Sequence, residues 1–331
     1  MRLTSHVTPV AYAFAAVVVG GCGGTNATPA TVGYSETPLR TILQRATLKN
    51  PILVAFNVYK SQLVYWPIRN GGGHNPLALT APLKGAGADI YSLAADGDVF
   101  ALPNASTPGA LLTYNLDHHL EKSISDPYGQ PENIAIDPLV NVYLLDSYGG
   151  VTEYQRGTRK VLELTCPLVY QSLGMGADNE GDVFIIGYVP GRAKYHLRSA
   201  MWKISAGSQT CTALHLDPGR GTFTGIGVDP KTDDLIVLGT KEMVIYPKPY
   251  RTRTAVHVPL HAANGAMDFR LDAPSKHIFY SDDVFVNHQA FPIVDEADYP
   301  SGKFEGYYKF GIHANAGWIG GFITLPNTLP N

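Results

Sequence analysis

The stretch Ile134 to Tyr154, IAIDPLVNVYLLDSYGGVTEY, decides the fold of this 331-residue chain. It contains three short apolar runs, Ile134–Ile136, Val142–Leu145 and Val151–Tyr154, separated by turns rich in Asp, Pro, Ser and Gly. Runs of β-branched and aromatic residues bounded in this way are typical of antiparallel strands joined by tight turns. The stretch therefore predicts three consecutive strands of one sheet.

Looser copies of this stretch recur along the chain. The Asp that ends its first strand has counterparts spaced by 41, 41, 51 and 43 residues, at Asp96, Asp137, Asp178, Asp229 and Asp272. A second strand follows each Asp, and most copies add a third strand with an aromatic residue and a fourth apolar run. Four strands per period of about 40 residues predict the blades of a β-propeller. An Asp between a strand and a turn accepts backbone N–H groups, so we interpret the repeated Asp as structural.

The blade count depends on the residues before the first repeated Asp. Ile52–Phe56 and Gln62–Trp66 supply the second and third strands of an earlier unit, and Leu77–Leu83 supplies its fourth, which makes six blades. This unit lacks an inner strand, and we expect Trp318–Leu325 to provide it, because closure removes the open sheet edges. The sequence thus predicts an all-β, six-bladed β-propeller over residues 41–331.

The predicted inner strands alternate large and small residues. The small positions are Ala94, Ala135, Gly174, Gly176, Gly225 and Gly227. Such alternation indicates inner strands that crowd around the propeller axis, where large side chains must face small ones. Blade six departs from the pattern, and we interpret its segment Asp282–Pro300 as a long acidic insertion without regular strand spacing.

The recurrent unit is an apolar strand, an Asp, a turn with Gly, and then Val-Tyr or Val-Phe, as in NIAIDPLVNVYLLD, GMGADNEGDVFIIG and SLAADGDVFALP. It resembles the NHL-type repeats of six-bladed propellers and their bacterial lipoprotein relatives, over roughly residues 50–325. The resemblance implies the fold. Because one fold carries many functions, it does not identify a ligand or a reaction.

The N-terminus is typical of a targeting segment. Residues 1–21 have a basic start and an apolar run, Val10–Val19, and are predicted to form a signal peptide. Val19-Gly20-Gly21-Cys22 resembles the lipobox of bacterial lipoproteins, which implies lipidation of Cys22 and anchoring to a membrane of the bacterial cell envelope, outside the cytoplasm. The alternative is an ordinary secretory signal that contains a Cys. Residues 22–40 are small, polar and contain Pro, so we expect a flexible linker.

Two cysteines would remain after such processing, Cys166 and Cys211. Paired thiols outside the cytoplasm tend to oxidise, which favours a disulfide between them. Two buried free thiols are the alternative.

The chain lacks the motifs of common catalytic classes: it has no G-x-S-x-G, no H-E-x-x-H and no G-x-x-x-x-G-K. A net charge of -3 argues against a nucleic-acid surface, which would be basic. We therefore interpret the chain first as a binding or scaffolding module without a cofactor, with an unidentified protein or small-molecule ligand at the propeller face. The histidines at 118, 119, 257, 261 and 288 lack the spacing of zinc ligands and are interpreted as turn residues.

A second hypothesis concerns the propeller channel. Polar residues stand at the starts of three inner strands: Asp89 in blade two, Glu132 and Asn133 in blade three, and Asp268 in blade six. Six-bladed lactonases of the senescence-marker type are similar in fold, and the resemblance implies a metal-dependent hydrolase that holds calcium or a similar hard ion on such residues. The chain lacks the Glu-Gly-Pro opening motif of that family, and Arg270 favours a simple ion pair with Asp268. A quinone-dependent sugar dehydrogenase of related shape is a third hypothesis, without assignable cofactor residues.

Overall fold

The computed structural model describes residues 51–68, 76, 78–86, 94–96, 99–105, 109–115, 117–156, 159–167, 171–191, 197–216, 223–261, 268–286, 289–309 and 319–325. These residues belong to the compact unit Tyr34–Asn331. Their regular structure is β, apart from one 3-10 turn at Thr252–Thr254. Within these ranges we find no helical segment with the length and hydropathy of a membrane span.

The strands form six antiparallel sheets of four strands each, which are the blades of a propeller. Blade one contains β1 (Ile52–Asn57), β2 (Gln62–Pro67) and β3 (Ala78–Leu79), and blade two contains β4 (Ala94–Asp96), β5 (Val99–Asn104), β6 (Ala110–Asn115) and β7 (Leu120–Ser125). Blade three contains β8 (Pro131–Ile136), β9 (Val142–Asp146), β10 (Gly150–Gln155) and β11 (Arg159–Thr165), and blade four contains β12 (Ser172–Ala177), β13 (Val183–Pro190), β14 (Leu197–Ile204) and β15 (Cys211–Leu214). Blade five contains β16 (Phe223–Val228), β17 (Leu235–Gly239), β18 (Glu242–Tyr246) and β19 (Val256–Pro259), and blade six contains β20 (Phe269–Leu271), β21 (His277–Val286), β22 (Gln289–Asp298) and β23 (Phe304–Lys309). The last strand, β24 (Ile319–Leu325), is the inner strand of blade one.

Blade one joins the two ends of the propeller domain. Strand β24 pairs antiparallel with β1, from Ile52 opposite Leu325 to Asn57 opposite Ile319. The closure predicted from Trp318–Leu325 is therefore confirmed, and it gives β1 a partner on both edges.

The inner strands of blades four and five approach each other closely. A Cβ atom added at Gly176 would lie 2.8 Å from the Cα of Gly227, and one added at Gly174 would lie 2.9 Å from the backbone nitrogen of Ile226. Neither position has room for a side chain, because real Cβ atoms do not approach other atoms so closely. The alternation of small and large residues thus follows from crowding at the propeller axis.

The repeated Asp residues hold the turns after the inner strands. Asp137 Oδ1 accepts the backbone N–H groups of Leu139 at 2.9 Å and Asn141 at 2.8 Å. Asp178, Asp229 and Asp272 accept turn N–H groups in the same way, and all four are buried. The side chain of Asp96 lies outside the described part of the structure. These contacts are those of a turn residue, which is the role predicted for the repeat.

Blade six corrects one prediction. Asp282–Pro300 is no irregular insertion, because β21 and β22 form a continuous ladder from His277 opposite Asp298 to Val286 opposite Gln289. Acidic side chains interrupt the apolar pattern of both strands, so the sequence does not predict them. Asp282, Asp295 and Glu296 are 2%, 1% and 0% exposed.

The core lies between neighbouring blades, where the faces of their sheets pack together. One cluster joins Tyr143 and Leu145 of blade three to Val183 and Trp202 of blade four. A disulfide between Cys166 and Cys211 links the outer strands of the same two blades.

Candidate functional site

The starts of the inner strands surround a cavity of about 390 Å³. Five blades contribute described residues to its wall. These residues lie at the starts of β8, β12 and β16, on the β20–β21 pair, and on the inner strand β24. The lining residues are Glu132, Asn133, Gln171, Ser172, Leu173, Thr224, Asp268, Ser281, Ile319, Gly321 and Phe322. The cavity therefore lies where the inner strands of a propeller converge, which is a usual place for a ligand site.

The structure brings together three of the four residues proposed from the sequence. Glu132, Asn133 and Asp268 all line this cavity, although blades three and six carry them. Asp89 lies outside the described residues. The position of these residues at strand starts places them on one end of the propeller.

Asp268 has one satisfied and one unsatisfied carboxylate oxygen. Oδ1 lies 2.9 Å from Arg270 Nη1 and accepts the backbone N–H of Phe269 at 2.8 Å. Oδ2 is buried and has no hydrogen-bond partner among the residues that the structure describes. Desolvation raises the pKa of Asp268, and the Arg270 guanidinium opposes the rise. Ser281 Oγ fixes the start of this strand by accepting the N–H of Asp268 at 3.0 Å.

Glu132 and Asn133 are connected to blade four through Ser172. The Asn133 amide donates to Ser172 Oγ at 3.2 Å, and Ser172 Oγ lies 3.4 Å from Glu132 Oε2, to which it donates. Desolvation is the main cause that raises the pKa of Glu132, and hydrogen bonds from Ser147 and Ser172 oppose it. This chain of contacts orders the polar wall across the boundary between two blades.

The lining residues define what the cavity can do. Its polar groups are carboxylates, amides and hydroxyls, and its apolar wall is formed by Leu173, Ile319 and Phe322. Among the lining residues that the structure describes there is no His, Cys or Lys. The arrangement can accept hydrogen bonds from a ligand or contribute oxygen atoms to a cation.

Four polar lining residues were missed in the sequence, namely Gln171, Ser172, Thr224 and Ser281. Three of them stand at or near the starts of inner strands, as Asn133 does: Gln171, Ser172 and Thr224. Their place in the repeat could therefore have indicated that they line the cavity. Ser281 lies in β21, directly before the segment Asp282–Pro300, and corresponds to no inner-strand start, so the repeat does not predict it.

No protein family matches the sequence, and no curated protein matches it either. Solved structures do match the fold. A chain from the crystal structure of a nidogen/laminin complex is 14% identical, with a TM-score of 0.62, and the match covers 83% of this chain and 98% of that one. A functionally unknown protein from Desulfotomaculum acetoxidans DSM 771 is 12% identical, with a TM-score of 0.54, and the match covers 80% of this chain and 97% of that one. At such identities the likeness concerns the fold alone.

Proposed function

We propose that this protein is an NHL-like, envelope-anchored propeller lipoprotein whose channel cavity binds a small organic molecule. One observation carries the proposal: Asp268 Oδ2 is a buried acceptor without a hydrogen-bond partner in the described part of the chain, and it lies in the wall of a cavity whose described lining comes from five blades. A buried acceptor without a partner is costly, and a ligand that donates to it removes the cost.

The cavity chemistry indicates the class of ligand. A volume of about 390 Å³ falls within the range of small-molecule sites. Glu132 and Asp268 offer acceptors, and burial raises the pKa of each, so a ligand with hydroxyl or amine donors would relieve the desolvation of both groups. Leu173 and Phe322 would contact its apolar part.

Thermal shift and calorimetric titration with D-glucose and ethanolamine test this proposal, since the two probes separate hydroxyl from amine donors. The variant Gln171→Trp should abolish binding of whichever probe binds, because Gln171 is exposed and lines the cavity. The matched control is Thr212→Trp, which changes an exposed residue on the outer strand of the same blade. Equal binding by both variants would place the ligand elsewhere.

A metal-dependent hydrolase is the second candidate. The observation that favours it is the common cavity of Glu132, Asn133 and Asp268, whose oxygens suit calcium at about 2.3–2.6 Å. Elemental analysis of protein purified without chelator should then find calcium, and Asp268→Asn should remove it. Loss of calcium from that variant would justify a screen of esters and lactones, whereas calcium-free wild-type protein would contradict this candidate.

The lipid anchor is tested separately from the cavity. Lipidation of Cys22 predicts that the full chain, expressed in bacteria, incorporates labelled palmitate and fractionates with membranes. The Cys22→Ser variant should lose both properties. Label retained in that variant would contradict lipidation at this residue.

A further inference from the structure

Blade six carries a second cluster of potential metal ligands, at the end of its strands that is remote from the cavity. His277 begins β21, Glu296 lies near the end of β22, and Glu305 lies near the start of β23. One ligand atom from each of these three side chains lies within 4.8 Å of the other two. Asp268 and Ser281 line the cavity at the other end of the β20–β21 pair, so the two sites are distinct.

A carboxylate orients the imidazole of His277. Its Nδ1 lies 2.7 Å from Oδ2 of Asp272, which is the repeated turn residue of this blade. Oδ1 of the same Asp272 accepts the N–H groups of Lys276 at 2.7 Å and His277 at 3.0 Å, which fixes the carboxylate. Histidines that bind metals usually have their other ring nitrogen held in this way. Nε2 is therefore presented to the two glutamates.

The two glutamates have oxygens that the protein does not satisfy. Glu296 is 0% exposed, and Tyr308 donates its hydroxyl to Oε2 at 2.7 Å, but Oε1 is buried and no described residue donates a hydrogen bond to it. Glu305 Oε2 is also buried without a hydrogen bond and lies 3.6 Å from His277 Nε2. None of the ion pairs in the described ranges brings a Lys or Arg to either glutamate. Two carboxylate oxygens without hydrogen bonds beside one imidazole are a donor set that one cation could satisfy.

The spacing fits a small transition metal. Two ligands at the usual zinc distances of about 2.0–2.2 Å lie roughly 3.3–3.5 Å apart in tetrahedral geometry. The separation of 3.6 Å between His277 Nε2 and Glu305 Oε2 is close to that value. One nitrogen and two carboxylate oxygens form a donor set that zinc accepts, with a fourth position open to solvent.

The equivalent place in blade three lacks two of the three ligands. Asn141 Nδ2 donates to Asp137 Oδ2 at 2.9 Å, so Asn141 occupies the position of His277. Glu153 opposes Tyr143 as Glu296 opposes Phe279, so a glutamate is present in both blades. Val161 stands at the bulge between β10 and β11, where blade six has Glu305. Blade six thus differs from blade three at the two positions that complete a metal site.

A second acidic cluster shows what a neutralised group looks like in this fold. Asp178, Glu180 and Asp182 also have mutually close carboxylate oxygens. Lys203 lies 2.6 Å from Asp182, and Lys248 lies 2.7 Å from Glu180, so protein cations already balance that cluster. In the blade-six cluster Glu296 is buried and the other two side chains are partly buried, and His277 is the only basic side chain that the ion pairs of the described residues bring to it.

We propose that His277 Nε2, Glu296 Oε1 and Glu305 Oε2 bind one Zn²⁺ ion, which ties three strands of blade six together. Asp272 is a positioning residue that acts through His277. The side chains of His277 and Glu305 are 19% and 24% exposed, which gives the ion access from solvent.

The test uses the full chain, purified, stripped with EDTA and titrated with ZnCl₂ in a calorimeter. We expect one Zn²⁺ per chain in the wild type, a raised melting temperature, and weaker binding as the pH falls and His277 becomes protonated. Glu305→Gln and His277→Gln should each abolish stoichiometric binding, and Asp272→Asn, which keeps the turn acceptor Oδ1, should weaken it by about 10–100-fold.

The matched control is Glu153→Gln, which changes the equivalent glutamate of blade three and should bind Zn²⁺ as the wild type does. Far-ultraviolet circular dichroism of each variant checks that the fold is retained. Absence of stoichiometric uptake by the wild type would overturn the proposal and leave His277 as a hydrogen-bond partner of Asp272. Uptake that persists in both Glu305→Gln and His277→Gln would place the metal elsewhere and overturn it as well.

Discussion

Asp295→Asn should remove a large part of the pH dependence of stability. Asp295 lies in β22, is 1% exposed and has a buried Oδ2 without a hydrogen-bond partner. Burial, together with the nearby charge of Asp282, raises its pKa from 3.8 to about 8. Tyr280 opposes it across the ladder and supplies no positive charge. The folded protein therefore holds this proton over a range where the unfolded chain has released it.

The sign of the effect follows from proton linkage. Stability is full below the unfolded pKa of 3.8, decreases as the pH rises, and stops decreasing above the folded pKa of about 8. Between these limits one extra bound proton corresponds to about 1.4 kcal/mol per pH unit. The free energy of unfolding of the wild type should thus fall by about 2.7 kcal/mol between pH 5 and pH 7 through this group alone.

Urea unfolding of the wild type and of Asp295→Asn at pH 5, 6 and 7 measures the effect. An amide at this position does not titrate, so the stability of the variant should rise relative to the wild type by about 2.7 kcal/mol over this range. The control Asp117→Asn makes the same change at an exposed residue. Stability curves for Asp295→Asn and wild type that run parallel from pH 5 to pH 7 would refute the reasoning.

Three further predictions concern the scaffold and the repeat. Replacing Cys166 and Cys211 by Ala opens a 45-residue loop and should lower the free energy of unfolding by about 4 kcal/mol in chemical denaturation, and reductant should then have no further effect. Gly176→Val should lower the free energy of unfolding by about 1–3 kcal/mol in chemical denaturation, because its Cβ would lie 2.8 Å from Gly227 Cα. An unchanged denaturation midpoint would contradict crowding at the propeller axis. Asn141→His combined with Val161→Glu should create a second zinc site in blade three, together with Glu153, and raise the number of Zn²⁺ ions bound per chain from one to two in a calorimetric titration. A number that stays at one would show that these three ligands and the turn Asp do not suffice.

The fold was predictable because it depends on features that recur. The Asp that closes each turn and the small residues of the inner strands appear in several copies, and each copy supports the others. The closure by β24 followed from one missing inner strand. The prediction for blade six was wrong where buried strand positions are occupied by Asp282, Asp295 and Glu296. Carboxylates are usually exposed, so a sequence pattern does not distinguish buried ones from surface residues.

The sites were only partly predictable, for a geometrical reason. Glu132, Asn133 and Asp268 share a position at the starts of inner strands, and symmetry brings such positions to one cavity. The blade-six cluster depends instead on a bulge at Glu305 and on the cross-strand register of Glu296. Neither the bulge nor the register is visible as a spacing in the sequence.

The departures from the repeat are informative because the repeated residues are already explained by folding. The turn Asp accepts backbone N–H groups both where it contacts Asn141 and where it contacts His277, so the turn does not require a histidine. The equivalent bulge in blade three forms with Val161, which is 42% exposed, so forming the bulge does not require Glu305 with its buried Oε2. His277 alone, or Glu305 alone, would leave an unsatisfied or charged group in a packed blade. Together with Glu296 they form a set that a divalent ion satisfies at once, and this mutual dependence favours a binding role over coincidence.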